Sequence, residues 1–496
     1  MKDIICWFIL YTLISLFEIH AAEKINTIEL NGKVFNLQEI MQLALNSSIE
    51  IKKDDLDYEM SDTAFLRGQK KYAPTINFNN SYYNKKDPFS DSSFLIKDYY
   101  SWNSGISIRK STHYGTTMEL GMTETYSNVY DSSSHSTSFF MRVEQELLKN
   151  AFGFIDKRKD QIYLNHTEVA KRQLRFNISR KIVSILSNYW QITIYREALL
   201  NAKIELKSTE QVRNIIKRNT KLGRAQNFDL NQYNALVLKV KSKLEFVEQN
   251  LSESKRRFLR KINLSENTNI SGVAGFSEKV LKLDEEKMLE QAYNSRADYN
   301  NVKLEIRSAK LSVQINKNNS LPSLTGGISL SNNSQHPQFG SAFSNLSSRK
   351  YPEYRVTMNL NIPLWDKEIK VNVRNSRINL NKAQLSLREL HTNIRFEILN
   401  KIDRVKLTYR DLGRTRKIRK ETESYYNKLL NYTQQGKFDA ISVKNALDNR
   451  TKTRQSELAA LVQYNIAILK LDLATNQIFE KYEIDVERLL VPQHSI

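Results

Sequence analysis

Two periodicities divide the chain. Tyr354, Val356, Met358, Leu360, Ile362 and Leu364 alternate with Glu353, Arg355, Thr357, Asn359 and Asn361. Similar alternation sets Met118, Leu120 and Met122 against Glu119, Gly121 and Thr123. It also sets Phe139, Met141, Val143 and Leu147 against Ser138, Arg142, Glu144 and Glu146. A period of two over ~10 positions predicts strands with one apolar and one polar face, as a membrane barrel or a soluble sandwich requires. Elsewhere the spacing is that of coiled coils. Ile178, Ile182, Ile185, Tyr189 and Ile192 recur at steps of four and three, as do Ile394, Ile398, Ile402, Val405, Tyr409 and Leu412.

These patterns occur in two copies. "FNLQEIMQLALNSSIEIKK" near the start is echoed by "LKLDEEKMLEQAYNSRADYNN" in mid-chain. Asn46 aligns with Asn294, and Pro74 with Pro322, at one 248-residue offset. In each copy a helical run passes a proline into strands, which end at "EQELLKN" or "NIPLWDK". A long charged helix then reaches a lone glycine, Gly223 or Gly436, and a last helix closes near Asn263 or Asn476. The run from Leu283 to Asn319 reads as one helix of about 37 residues, and each closing helix as about 40. Together they approach the length of the ~70-residue helix, ~105 Å, beside which they can stack end to end. The division is thus a signal peptide at 1–22, repeats at 23–279 and 280–478, and a tail at 479–496.

Six segments alternate strongly enough to be strands: 75–83, 99–109, 115–126, 136–147, 323–331 and 353–364. The other possibility is that 99–126 forms a hairpin projecting beyond the sheet. Pro74, Pro322 and Pro363 mark helix–strand junctions, because proline ends a helix and enters only the edge or start of a strand. Tyr82, Tyr83, Tyr99, Tyr100, Trp102, Tyr126, Tyr351 and Trp365 lie at strand ends, where membrane barrels carry aromatic girdles. The fold class is therefore mixed α/β: duplicated long helical hairpins joined to antiparallel transmembrane strands.

Composition narrows the setting. One lysine, an apolar run from Ile4 to Phe17 and the small pair Ala21–Ala22 resemble a secretory signal peptide. A membrane anchor needs ~20 apolar residues, more than this run supplies. Cys6 is the only cysteine and precedes that cleavage site, so the mature chain has no disulfide or thiolate metal site. Removal of residues 1–22 shifts the formal net charge from +21 to +22. The basic residues are spread along every helix and form no patch interleaved with aromatics, which argues against nucleic acid. Seven scattered histidines and no phosphate-binding glycine loop offer no catalytic or metal centre and no cofactor site.

"QAYNSRADY", "SLPSL", "NIPLWD" and "ALVQYNIAILKLDLATN", in that order, resemble the motifs of the TolC-like outer-membrane efflux protein family. Ala297, Glu146 and Asn476 depart from the residues usual at their positions, which are proline, proline and glycine. The resemblance implies a homotrimer that closes one barrel in the cell outer membrane and one helical tunnel in the periplasm. It serves as the exit duct of a tripartite efflux pump or type I secretion system. Its implied partners are a periplasmic adaptor, an inner-membrane transporter and outer-membrane lipid, and it performs no chemistry. By motif match the adaptor meets the helix tips at Leu222, Gly223, Arg224, Gln435, Gly436 and Lys437. The family's acidic constriction falls on Ser442 and Asn445, so Asp229 and Asp439 are the remaining candidates for a displaced ring. Members usually contribute four strands per chain, whereas six are counted here and would close as eighteen. The competing class is a surface-anchored coiled-coil or adhesive protein without transport activity, which the duplicated strand pairs do not fit.

Overall fold

A computed structural model describes residues 34–35, 37–86, 98–129, 132–222, 227–268, 272–273, 276–348, 351–434 and 440–486. The expected signal peptide lies outside them. The first copy runs β1 (Val34–Phe35), α1 (Leu37–Ser47), α2 (Ile49–Gln69), β2 (Thr75–Lys86), β3 (Asp98–Ser111), β4 (Thr116–Val129) and β5 (Ser132–Glu146). It closes with α3 (Phe154–Lys221), α4 (Asn227–Lys261) and β6 (Gly272–Val273). The second runs α5 (Glu285–Ser295), α6 (Ala297–Asn319), β7 (Ser323–His336), α7 (Phe339–Asn345), β8 (Pro352–Asn361), α8 (Lys367–Gln434), α9 (Ala440–Ala474) and α10 (Ile478–Lys481). Both long helices have 68 residues, or about 100 Å, and both closing helices have 35. No helix among the described residues is long and apolar enough to cross a membrane.

The heptad positions form the core. Ile178, Ile182, Ile185, Tyr189 and Ile192 of α3 are buried against α1, α2, α4 and the end of α9. Ile394, Ile398, Ile402, Val405 and Leu412 of α8 pack against α9, with Ala292 of α5. The shorter helices thus lie along the long ones as the length arithmetic requires. Both closing helices end on an asparagine in left-handed conformation, Asn263 (φ 52°) and Asn476 (φ 56°). Leu264 N–H donates to the Leu259 carbonyl at 3.0 Å, and Gln477 N–H to that of Asp472 at 2.9 Å. These six-to-one bonds are the usual helix stop with asparagine in place of glycine, and they explain why Asn476 serves.

The helix expected over 283–319 is two helices, broken at Arg296. Residues before Asp284 are not helical, and Asp284 caps Lys287 N–H at 3.2 Å. Arg296 takes an extended conformation (ψ 128°), which turns its guanidinium inward. It donates to Asp298 Oδ2 and Glu397 Oε2, each at 2.7 Å, and to the Ala474 carbonyl at 3.2 Å. Burial works against its charge, and the two carboxylates outweigh burial, holding its pKa above the ordinary guanidinium value. The arginine of "QAYNSRADY" therefore fastens the α5–α6 kink to α8 and to the last carbonyls of α9. The 248-residue offset places Ser48, the break between α1 and α2, at the same position in the first copy.

Arg296→Ala should destabilise the protein by about 2–3 kcal/mol, since charged hydrogen bonds are lost at a nearly buried site. Arg296→Lys should recover less than half, because an ammonium cannot make the forked contact. Thermal unfolding of detergent-extracted protein, followed by circular dichroism, reads both. An unchanged midpoint for Arg296→Ala would remove the kink's structural role.

Candidate functional site

The six long strands form one antiparallel sheet in the order β2-β3-β4-β5-β7-β8. The segment 99–126 therefore lies in the sheet and does not project as a separate hairpin. One hydrogen-bonded row reads Ile76, Ile108, Leu120, Met141, Leu330 and Tyr354, apolar from edge to edge. The neighbouring row on the opposite face reads Thr75, Arg109, Glu119, Arg142, Ser329 and Arg355. A one-residue slip of any strand would exchange the faces, so the alternation fixes the register.

On the polar face, serine, threonine and asparagine predominate among the described strand residues. Lys85, Arg109, Arg142 and Arg355 are matched there by Glu119, Glu144, Glu146 and Glu353. Arg142 Nη1 lies 3.5 Å from Glu119 Oε2, and Arg355 Nη2 lies 2.6 Å from Glu353 Oε1. The chain's positive excess is thus carried by the helices, and this polar face is close to neutral. It presents hydroxyls and amides, with no cluster of one charge.

Helices and sheet meet where the three prolines were expected. Pro74 precedes β2, Pro322 precedes β7, and Pro363 follows β8. In the second copy Asp366 caps α8 by accepting from Ile369 N–H at 3.2 Å. The first copy is more elaborate. Asn150 (φ 57°) and Phe152 (φ 50°) are left-handed, so the chain reverses between β5 and α3 within a few residues. Asn150 Oδ1 accepts from Ile155 N–H at 2.7 Å and Asp156 N–H at 3.3 Å, which satisfies the bare start of α3. Its Nδ2 donates to Asp156 Oδ2 at 2.9 Å, and its backbone N–H to Asn318 Oδ1 of α6 at 2.8 Å. Lys71 Nζ reaches the buried Asp156 at 2.9 Å.

This junction also holds the β3–β4 turn. His113 Nδ1 lies 2.8 Å from Asp160 Oδ2, and the Tyr72 ring lies 3.7 Å from the imidazole. Burial, then the charges of Asp156 and Asp160, push the Tyr72 phenol well above its usual range and keep it neutral. Gly153 (φ 75°) is obligatory, because a Cβ there would stand 1.7 Å from the His113 carbonyl oxygen. Sequence reading missed Asn150, Asp156, Asp160 and His113. Single polar residues in a turn carry no periodic signal, and their partners lie on other elements.

At the far end of the helices, Leu222 closes α3 with its side chain exposed. Gly223, Arg224, Gln435, Gly436, Lys437 and Asp439 lie outside the described residues. Asp229 is in the first turn of α4; Ser442 is half-buried and Asn445 exposed in the first two turns of α9. Lys444 pairs with Asp448 one turn further on. Behind these turns, Arg450 Nε donates to Glu423 Oε1 at 3.0 Å, which ties α9 to α8. That hydrogen bond holds the Glu423 carboxyl below the usual range despite its burial.

Residues 288–477 match the family model described as outer membrane efflux protein. Comparison with curated proteins finds no match. Solved structures align over most of the chain. The outer membrane protein VceC from Vibrio cholerae is 10% identical with a TM-score of 0.66, covering 88% of this chain and 95% of its own. The Neisseria gonorrhoeae MtrE outer membrane channel, in its open state, is 13% identical with a TM-score of 0.65, covering 88% of each. The Campylobacter jejuni CmeC outer membrane channel is 12% identical with a TM-score of 0.67, covering 91% and 90%. At such identities the likeness is one of fold. Together with the family match it bears out the resemblance read from the motifs: residues 288–477 are similar to the outer membrane efflux protein model, and the chain has the fold of the TolC-like outer-membrane channels.

Proposed function

We propose that three copies of this chain form an outer-membrane duct that receives substrates from a periplasmic adaptor and an inner-membrane transporter and releases them outside. One observation carries this reading. A continuous sheet with an apolar and a polar face has no partner at either edge among the described residues, and all the long helices leave from one end. Six strands are too few for a membrane barrel of their own, since the smallest transmembrane barrels have about eight. The apolar rows face lipid and the polar rows face the lumen. The two rods of each chain then supply one third of a periplasmic tube. The described helix kinks repeat at the 248-residue offset, which supports the two-repeat division at 279/280. A tripartite efflux pump and a type I secretion system both fit this geometry, because selectivity and energy reside on other chains.

The helix tips are the surfaces furthest from the sheet, and there the adaptor docks on the turns around Gly223 and Gly436. Cysteines placed at Leu222 and Gln435 should cross-link to it in whole cells. Gly223→Val or Gly436→Val should impair export while the heat-modifiable trimer survives, because a β-branched residue strongly disfavours the left-handed backbone that glycine permits. Loss of the trimer in equal measure would make these glycines folding determinants only.

The acidic ring is missing from its usual place at the tunnel mouth. Ser442 and Asn445 occupy its usual places, and Asp448 is neutralised by Lys444. Trivalent cations added from the periplasmic side should leave the single-channel current in planar bilayers largely unblocked. Tight block abolished by Asp229→Asn or Asp439→Asn would show a displaced ring and overturn this expectation.

A further inference from the structure

We propose that β8 of one copy pairs antiparallel with β2 of the next, with Thr75 opposite Asn361. Three copies then close an eighteen-stranded barrel about as wide as the helical tube below it. The inference rests on the trimeric duct and adds its strand number, register and width.

Among the described residues both edges are bare, and their side chains show it. Val356 and Tyr354 on β8 are 81% and 76% exposed, and Ile76 and Phe78 on β2 are 71% and 70%. Their row neighbours inside the sheet, Ile106, Ile108, Leu120, Phe139, Met141, Ile328 and Leu330, are 42–56% exposed. Bare apolar edges of this length are templates for another strand. The partner indicated is a second copy of this chain. β2 runs away from the helices and β8 returns to them, so an edge-to-edge pair is antiparallel, like every other pair in the sheet.

The register follows from the junctions. Pro74 and Pro363 both mark the level at which helix meets sheet, so Thr75 and Asn361 stand at one height. A polar groove of about 440 Å³ lies at the foot of β8, lined in part by Lys149, Asn319, Asn361 and Asp366. It lies where the next copy's chain around Pro74 must enter. In this register Ile76 meets Leu360 and Phe78 meets Met358 on the lipid face. Asn77 meets Asn359 and Asn79 meets Thr357 in the lumen. Both faces remain continuous across the seam.

Barrel geometry supplies an independent check. The apolar row that starts at Ile76 ends at Tyr354, which in this register faces Tyr82 of the next copy, six residues beyond Ile76. Three copies accumulate a shear of about 18 for about 18 strands. With ~3.3 Å rise and ~4.8 Å strand spacing, the strands tilt by about 35°, within the range of closed barrels. The circumference is then about 105 Å. Twelve helices at ~10 Å spacing need about 120 Å, whereas twelve strands at the same tilt give only about 70 Å. The extra β3–β4 hairpin therefore lets the wall continue outward with little taper.

Cysteine pairs test the seam, since the only native cysteine is Cys6. Asn79→Cys with Thr357→Cys, and Phe78→Cys with Met358→Cys, probe directly opposed positions on the two faces. After mild oxidation, at least one pair should give covalent dimers and trimers on denaturing, non-reducing gels. The corresponding single variants should give no covalent trimer. Linkage of Thr357→Cys to Thr123→Cys instead would mean that β4 meets β8 and twelve strands close, leaving the duct reading intact. Linkage only at Asn79→Cys with Arg355→Cys would refute the register and its shear. A heat-modifiable trimer with no linkage at any of these pairs would refute the seam altogether. A monomer in the outer membrane would overturn both the seam and the duct.

Discussion

Hydrocarbon offers no hydrogen-bond partner, so a sheet that crosses it must pair every strand edge. That constraint organises this protein. Among the described residues one chain supplies six strands and leaves two edges bare, so the proposed duct needs other copies to complete the sheet. Its polar face has no cluster of one charge, and on the other face the row from Ile76 to Tyr354 is apolar from edge to edge, whereas the row from Asn80 through Glu124 to Ser334 is polar. The same constraint acts where strands end. Each chain crossing must satisfy its backbone groups before the helix ladder takes over. Asp366 does this alone in the second copy, and Asn150 does so with Asp156 in the first.

The two copies are alike in length and unlike in detail, and the difference has a physical source. The first copy carries the additional β3–β4 hairpin, whose turn descends onto the start of α3. Seating it involves the glycine at 153 and the contacts of His113 with Asp160 and Tyr72, while left-handed residues stand at both junctions, Asn150 and Phe152 in the first copy and Trp365 (φ 58°) in the second. No such cluster is needed between β8 and α8, where no hairpin turn has to be seated. The hairpin is therefore built into the load path between sheet and helices.

Much of this was legible in the sequence, because the two periodicities are strong and uninterrupted. Alternation fixed the strands and their faces, heptads fixed the core of α3 and α8, and three prolines marked the junctions. The kink at Arg296 was hidden, since the apolar period continues through it and only Glu397 and Ala474, 101 and 178 residues away, reveal its purpose. The Asn150 cluster was hidden for the same reason: its meaning lies in partners from the turn after α2, from α6 and from the β3–β4 turn. Asparagine at 476 was visible as a departure from glycine, and its left-handed backbone shows that the departure preserves the helix stop.

The most direct measurement is electron cryo-microscopy of the protein extracted from outer membranes into lipid nanodiscs. A three-fold particle is expected, with a strand wall inside the disc passing without a gap into a helical tube about 100 Å long below it. A single-chain particle, or helices splayed from a sheet that stays open in the lipid, would contradict the duct.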